Sequence, residues 1–282
     1  MSIVILGAYG QLGTALEATA YREVISLPRQ QADLAQTTDV CKVLDSLNPE
    51  IVINCAAYNQ VDQAQVDLET AKAINTDAPG ILAEWCDRRD AVFVHFSTDY
   101  VFGGDLSRRT PYTEQDPPAP LSIYGETKLA GECAIQAASR KYFILRTCGL
   151  YGARRSTGKG NFVETMLKLA ETRDELNVVD DQECTPTSAT DLARWTWALI
   201  ETSRYGLYHA TNSGSTTWCR MAREIVRLTH QSTIVRPITS EEFGAAAPRP
   251  HYSVLDCSQL EEVIQIPILS WQTALESYLT QR

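Results

Sequence analysis

Tyr124-Gly125-Glu126-Thr127-Lys128 sets a phenol and an ammonium four residues apart. On a helix, positions i and i+4 share one face. A free phenol titrates near 10 and exchanges its proton poorly at neutral pH. A neighbouring ammonium favours the phenolate and lowers that value. Such a pair can hand a proton to a carbonyl oxygen as hydride reaches the carbon. The composition yields one chance Tyr-x-x-x-Lys in roughly a quarter of shuffled chains, so the pair needs company. It has it in Ser97-Thr98-Asp99-Tyr100, which closes the fourth apolar run. In open α/β sheets, ligands bind at the carboxyl ends of the strands. There Thr98 could donate a hydrogen bond to the same carbonyl, or bond local backbone.

Gly7-Ala8-Tyr9-Gly10-Gln11-Leu12-Gly13 follows the first apolar run, with the spacing G-x-x-G-x-x-G. Glycines let a strand-to-helix turn approach a pyrophosphate closely. The free N–H groups at the helix start then face the anion. This places a dinucleotide beside Tyr124 and Lys128, with Lys128 in reach of the nicotinamide ribose. An acidic residue ending the second strand would select NAD. The chain instead reads Ser26-Leu27-Pro28-Arg29, so Arg29 is the candidate partner of a 2′-phosphate. NADPH is therefore the expected cofactor, with NADH as the alternative. Asp33-Leu34 falls where the chain returns toward the adenine. Asn54-Cys55-Ala56-Ala57-Tyr58 follows the third strand, with small residues that permit a close pass.

These residues need a scaffold. Strands are expected over Ile3–Leu6, Val24–Leu27, Ile51–Asn54, Val92–Ser97 and Tyr142–Thr147, with little polar alternation in Ile51-Val52-Ile53 or Val92-Phe93-Val94. That is how strands covered on both faces read. Helical stretches lie between them, at Gln11–Ala20, Thr38–Leu47, Thr70–Asp87 and Tyr124–Ala138. The alternation implies an α/β fold, a Rossmann-type doubly wound parallel sheet. Residues 1–150 read as the dinucleotide-binding domain. Residues 151–282 read mainly as a smaller C-terminal substrate-binding lobe, with helices over Asp191–Thr202 and Thr217–Thr229 and a chain free to cross back to the sheet. Loops are expected over Asp105–Pro120 and Ala153–Gly160.

The chain of 282 residues is 44% hydrophobic and carries a formal charge of −10. It has no basic run of the kind a nucleic-acid binder shows, and no apolar run of membrane-spanning length. The N-terminus lacks the basic start and cleavage site of a signal peptide. Eight cysteines are scattered, without a C-x-x-C pair, so no metal site is expected and a reducing cytoplasm is the simplest compartment.

Together these residues resemble the dTDP-4-dehydrorhamnose reductases, within the extended short-chain dehydrogenase/reductases. The resemblance runs from the Gly7–Gly13 turn through Asn54–Asp62, Phe96–Phe102 (F-S-T-D-Y-V-F) and Pro120–Glu132 (P-L-S-I-Y-G-E-T-K-L-A-G-E). It continues in Arg146-Thr147, Gly160–Leu167, Val178–Thr187, Gly206–His209, Arg249-Pro250 and Ser253–Asp256. It implies reduction of dTDP-4-dehydro-L-rhamnose to dTDP-L-rhamnose. Thr98, Tyr124 and Lys128 would be catalytic by similarity. Gly10, Gln11, Leu12, Asp33, Leu34, Ala57, Tyr58 and Asn59 would line the cofactor. Thr98 and Asp99 would lie beside the sugar, and Asn161, Phe162 and Arg249 would contact the nucleotide.

Two departures bear on that resemblance. Where the family commonly has Arg-Thr-Ser-Trp, this chain has Arg146-Thr147-Cys148-Gly149. The aromatic surface at 149 is missing from the sugar site. A glutamate that helps some members bind Mg²⁺ at a dimer interface is Ala15 here. A homodimer is compatible with the chain; a metal-bridged one is not expected. Three readings follow: the rhamnose reductase, a reductase or epimerase on another nucleotide-linked keto sugar, and a non-catalytic NADP-binding regulatory subunit. The intact Thr98, Tyr124 and Lys128 set argues against the last.

Overall fold

The computed structural model describes residues 2–155 and 160–281. Half of the predicted Ala153–Gly160 loop, residues 156–159, lies outside them. Among the described residues ten strands are formed: β1 (Ile3–Leu6), β2 (Val24–Leu27), β3 (Ile51–Asn54), β4 (Val92–Thr98), β5 (Tyr142–Thr147), β6 (Glu175–Val179), β7 (Glu183–Cys184), β8 (Gly206–His209), β9 (Thr216–Thr217) and β10 (Ile234–Ile238). Six of them make one sheet in the order β2-β1-β3-β4-β5-β8, parallel at every pairing. The order reverses between β1 and β3, and that crevice is where an open α/β sheet takes its ligand.

The strand sequences explain the layering. All four residues of β1, and all four of β3, are buried. One face of the sheet packs on Leu12, Leu16, Leu192 and Trp195, and the other on Val40, Leu44, Leu82 and Ile135. The first four predicted strands and the fifth appear where expected, with β4 one residue longer. β8 and the helix Ala189–Ile200 of the C-terminal half return to this sheet, that helix packing on the first one. The smaller lobe has its own core of Val163, Met166, Leu176, Met221, Ile225 and Trp271.

The α-helices among the described residues are α1 (Gln11–Ala18), α2 (Thr37–Leu47), α3 (Val61–Ala64), α4 (Leu68–Lys72), α5 (Ala78–Arg88), α6 (Ile123–Ala138), α7 (Phe162–Ala170), α8 (Ala189–Ile200), α9 (Trp218–Leu228), α10 (Ser240–Phe243), α11 (Ser258–Ile264) and α12 (Trp271–Thr280). The single helix expected over Thr70–Asp87 is interrupted by a π segment at Ala73–Asp77. Its Asn75 bonds both the N–H and the C=O of Tyr58, at 2.9 Å each. Pro79 follows at the start of α5, where its missing N–H is harmless. The Asp105–Pro120 stretch is a loop as expected, clasped by Arg108 on Asp116 at 3.0 and 2.9 Å.

Helix α6 carries Tyr124 and Lys128, and its placement is tight. Ser122 caps it, accepting from the Gly125 N–H at 3.3 Å. A Cβ on Gly131 would stand 2.1 Å from the Asn75 carbonyl oxygen, and one on Gly125 would stand 2.3 Å from that of Tyr100. These contacts draw the helix against the π segment and against the turn after β4.

Candidate active site

A cleft of about 300 Å³ opens at the carboxyl ends of β1, β3, β4 and β5. Gly10, Gln11 and Leu12 line it from the start of α1, and Ala57 and Asn59 from the segment after β3. Thr98, Tyr124, Lys128 and Gly149 complete the predicted set on its wall. Phe96, Ser97, Thr147, Cys148, Leu150 and Cys55 also line it and were not predicted. Their common signal was position, at the ends of buried strands.

The glycine turn is built for a close neighbour. Gly7 has φ +72°, and a Cβ there would meet the Ala56 nitrogen at 2.8 Å. A Cβ on Gly13 would lie 2.6 Å from the Ala8 Cα. Gly10 caps α1 without a side-chain hydrogen bond, and the first turn holds no acidic residue. Its N–H groups therefore face the cleft uncompensated, which suits an anion. These features fit a dinucleotide pyrophosphate.

Other candidates stand farther out. Arg29 is exposed and pairs with Asp33 at 3.1 Å, while Asp33 also caps the turn that buries Leu34. Tyr58 is buried, and its hydroxyl donates to Asp67 at 3.1 Å. Asn161 caps α7 and donates to Gln11 Oε1 at 2.8 Å, tying the smaller lobe to the glycine turn. Arg249 grips Asp62 through two bonds of 3.0 and 2.8 Å. None of the side chains of Arg29, Asp33, Leu34, Tyr58, Asn161 and Arg249 lines the cleft.

Asp99, expected beside the sugar, is not on the cleft wall either. It lies beneath Thr98, 2% exposed, accepting from Ser253 Oγ at 2.6 Å and from Thr98 Oγ1 at 3.2 Å. Burial raises its pKa to about 6, against the hydrogen bonds of Ser253, Cys148 and Thr98. Cys148 is held far above the ordinary thiol range by its hydrogen bond with Cys184, then by burial and Asp99.

The expected influence of Lys128 on Tyr124 also needs correcting. Burial pushes Tyr124 up to about 12, and its hydrogen bond with Thr98 pulls only part of the way back. Lys128 is brought down to about 8 by burial, with Glu132 opposing. Its Nζ contacts His95 Nε2 at 3.1 Å and donates to the Phe96 carbonyl at 2.6 Å. In the free protein burial outweighs any lowering of Tyr124 by Lys128, whose amine is hydrogen-bonded to β4. Beneath it, Glu132 and Arg146 form a buried pair at 2.7 Å.

The aromatic surface missing at 149 has a neighbour from a distant element. Gly149 has φ +52°, and a Cβ there would stand 3.0 Å from Cη2 of Trp218. Trp218 opens α9 and packs on Phe162, ring centroids 4.8 Å apart. The space beside Gly149 is thus bounded by Trp218 and by Pro186.

A doubly wound sheet whose glycine turn, strand-end Thr98, Tyr124 and Lys128 share one cleft defines the short-chain dehydrogenase/reductase class. Comparison narrows this. The family described as RmlD substrate binding domain matches residues 1–282. A dTDP-4-dehydrorhamnose reductase of Burkholderia thailandensis is 36% identical, over 98% of this chain and 97% of its own. A probable dTDP-4,6-dihydroxy-2-methyloxan-3-one 4-ketoreductase of Streptomyces antibioticus is 40% identical, over 98% and 93%. The crystal structure of a Bacillus anthracis dTDP-4-dehydrorhamnose reductase in complex with NADP superposes with TM-score 0.93 at 37% identity, covering 100% of this chain and 99% of that one. The chain belongs to the dTDP-4-dehydrorhamnose reductase family.

Proposed function

We propose that this chain reduces the 4-keto group of dTDP-4-dehydro-L-rhamnose to give dTDP-L-rhamnose, with NADPH as reductant. The observation that carries the reading is the convergence of Thr98, Tyr124 and Lys128 on a cleft floored by the glycine turn. A nicotinamide held in this cleft would supply the hydride for the carbonyl carbon. The chain's own residues do the rest. N–H groups at the start of α1 bind the pyrophosphate, and Arg29, freed from an exposed ion pair, reaches a 2′-phosphate. Thr98 orients the carbonyl oxygen. Tyr124, with its pKa raised to about 12, keeps its proton at neutral pH and gives it to that oxygen. Solvent then returns a proton to the phenolate.

A second reading has specific support: the Streptomyces relative is named for a different dTDP-sugar ketone, and Gly149 removes an aromatic contact to the hexose. It keeps the reaction and changes the sugar. Eight free cysteines, with no helix among the described residues long and apolar enough to cross a membrane, support a cytoplasmic enzyme. We take the smaller lobe to hold the sugar nucleotide and a homodimer to be compatible with it.

NADPH oxidation with dTDP-4-dehydro-L-rhamnose tests the proposal against Tyr124→Phe. Loss of the proton donor should lower kcat roughly 10²–10⁴-fold and leave NADPH binding intact. Full activity in that variant removes Tyr124 from its role. NADPH binding without oxidation by any 4-keto nucleotide sugar would favour a regulatory subunit.

A further inference from the structure

Lys128 ends a chain of hydrogen bonds that runs through the interior of the sheet. The Ala56 N–H donates to Asn54 Oδ1 at 3.0 Å. Asn54 Nδ2 lies 3.1 Å from His95 Nδ1, and His95 Nε2 lies 3.1 Å from Lys128 Nζ. Lys128 donates to the Phe96 carbonyl at 2.6 Å. Asn54 is 1% exposed, His95 1% and Lys128 1%, so water does not interrupt the sequence.

The polarity of this chain follows from its first member. A backbone N–H can only donate, so Asn54 presents oxygen to Ala56 and its NH₂ to His95. His95 Nδ1 must then accept, which leaves the ring proton on Nε2. That proton points at Lys128. An ammonium has only donors, so it would set N–H against N–H; a neutral amine has a lone pair and accepts. Reversing the amide would turn its NH₂ against the Ala56 N–H and strand a buried donor.

We propose that His95 is a positioning residue which, through its Nε2–H, favours the neutral amine form of Lys128 in the free protein, and that binding of the anionic dinucleotide draws a proton from solvent onto Lys128. Asn54 sets the direction. The proposal concerns the site named under the function above; its spectroscopic part needs no cofactor.

The groups that face Lys128 agree. On its own helix, Glu132 favours the ammonium, but that carboxylate is taken by Arg146 of β5 through three bonds of 2.7 to 3.2 Å and by Ser97 of β4. Tyr124, one turn earlier, is raised by burial and stays neutral. Asp99, beyond Thr98, is raised too. Burial, the largest influence on His95, holds it below the ordinary imidazole range, so it does not carry the charge instead. Burial lowers Lys128, and a hydrogen bond received from His95 acts the same way. Phosphates entering the cleft act oppositely. The step balances as an amine plus a buffer acid giving an ammonium plus the buffer base.

Two measurements test this. In the free protein, ¹⁵N-histidine spectra, simplified by a total of four histidines, should show His95 neutral with its proton on Nε2. A proton on Nδ1 overturns the proposal. NADPH binding followed calorimetrically near pH 8 in buffers of different ionisation enthalpy should take up roughly half a proton or more per site. Lys128→Arg, which stays charged, should remove that uptake; unchanged uptake there overturns the assignment. Asn54→Asp is nearly isosteric and accepts from both Ala56 and His95, so it should move the His95 proton to Nδ1 and abolish the uptake. Persistence of both wild-type signatures in Asn54→Asp would remove Asn54 as the source of polarity. Absence of NADPH binding in the wild type would instead sink the functional reading and leave the tautomer result standing.

Discussion

Replacing Asp99 by Asn isolates the electrostatics beneath the cleft. The carboxyl is 2% exposed, and burial raises its pKa from 3.8 to about 6. A rise of about two units corresponds to about 3 kcal/mol between the two protonation states. The unfolded chain ionises near 3.8, whereas the folded one resists to about 6. In that window the native state binds more protons than the unfolded state, so stability falls as pH rises. The contribution is fully present below the unfolded value and lost above the folded one. Asn cannot ionise and so escapes the loss. Its own mismatch with Ser253 and Thr98 shifts the variant by a nearly constant amount, which cancels when two pH values are compared. Urea unfolding of both proteins near pH 4 and near pH 7.5 measures the effect. The stability of Asp99→Asn minus that of wild type should rise by about 2–3 kcal/mol between them. A difference that stays flat would refute burial as the dominant influence on Asp99.

Gly13→Ala forces a methyl to within 2.7 Å of three Ala8 backbone atoms. Overpacking of this kind costs about 1–3 kcal/mol, so a displaced turn should weaken NADPH roughly 5- to 150-fold by fluorescence titration. Arg29→Ala gives up an exposed pair of little worth to the free protein. It should raise the Kd for NADPH roughly tenfold and leave NADH unchanged; equal effects on both would release Arg29 from the 2′-phosphate. Glu132→Gln leaves the buried Arg146 guanidinium without its counter-charge and should lower unfolding free energy by about 3–5 kcal/mol in denaturant melts.

The parallel sheet was readable because strands such as Ile51–Asn54 are apolar throughout, and burial on both faces leaves no other explanation for that pattern. The interruption at Ala73–Asp77 was not, because its cause is a partner distant in sequence: Asn75 turns inward to satisfy the backbone of Tyr58. The cleft showed the same division. Gly10, Thr98, Tyr124 and Lys128 sit at strand ends or on one helix face, where spacing reports position. Asp99 follows Thr98 directly, yet the backbone turn after β4 sends it beneath the wall toward Ser253.

The state of Lys128 shows why residue types alone give only half of a site. A Tyr and a Lys four apart on a helix suggest an ammonium acting on a phenol. Whether the ammonium exists depends on what the lysine touches, and here that is a histidine on the neighbouring strand whose proton is placed by an asparagine one strand further on. The space at Gly149 is shaped at comparable distance: Gly149 follows β5 by two residues, and the ring that bounds it, Trp218, starts a helix of the smaller lobe. Both relations are made by folding, since β3, β4, α6 and α9 come from separate parts of the chain. Hydride-transfer chemistry can therefore be read from local spacing, while the charge state that tunes it and the surface beside Gly149 come from contacts across the fold.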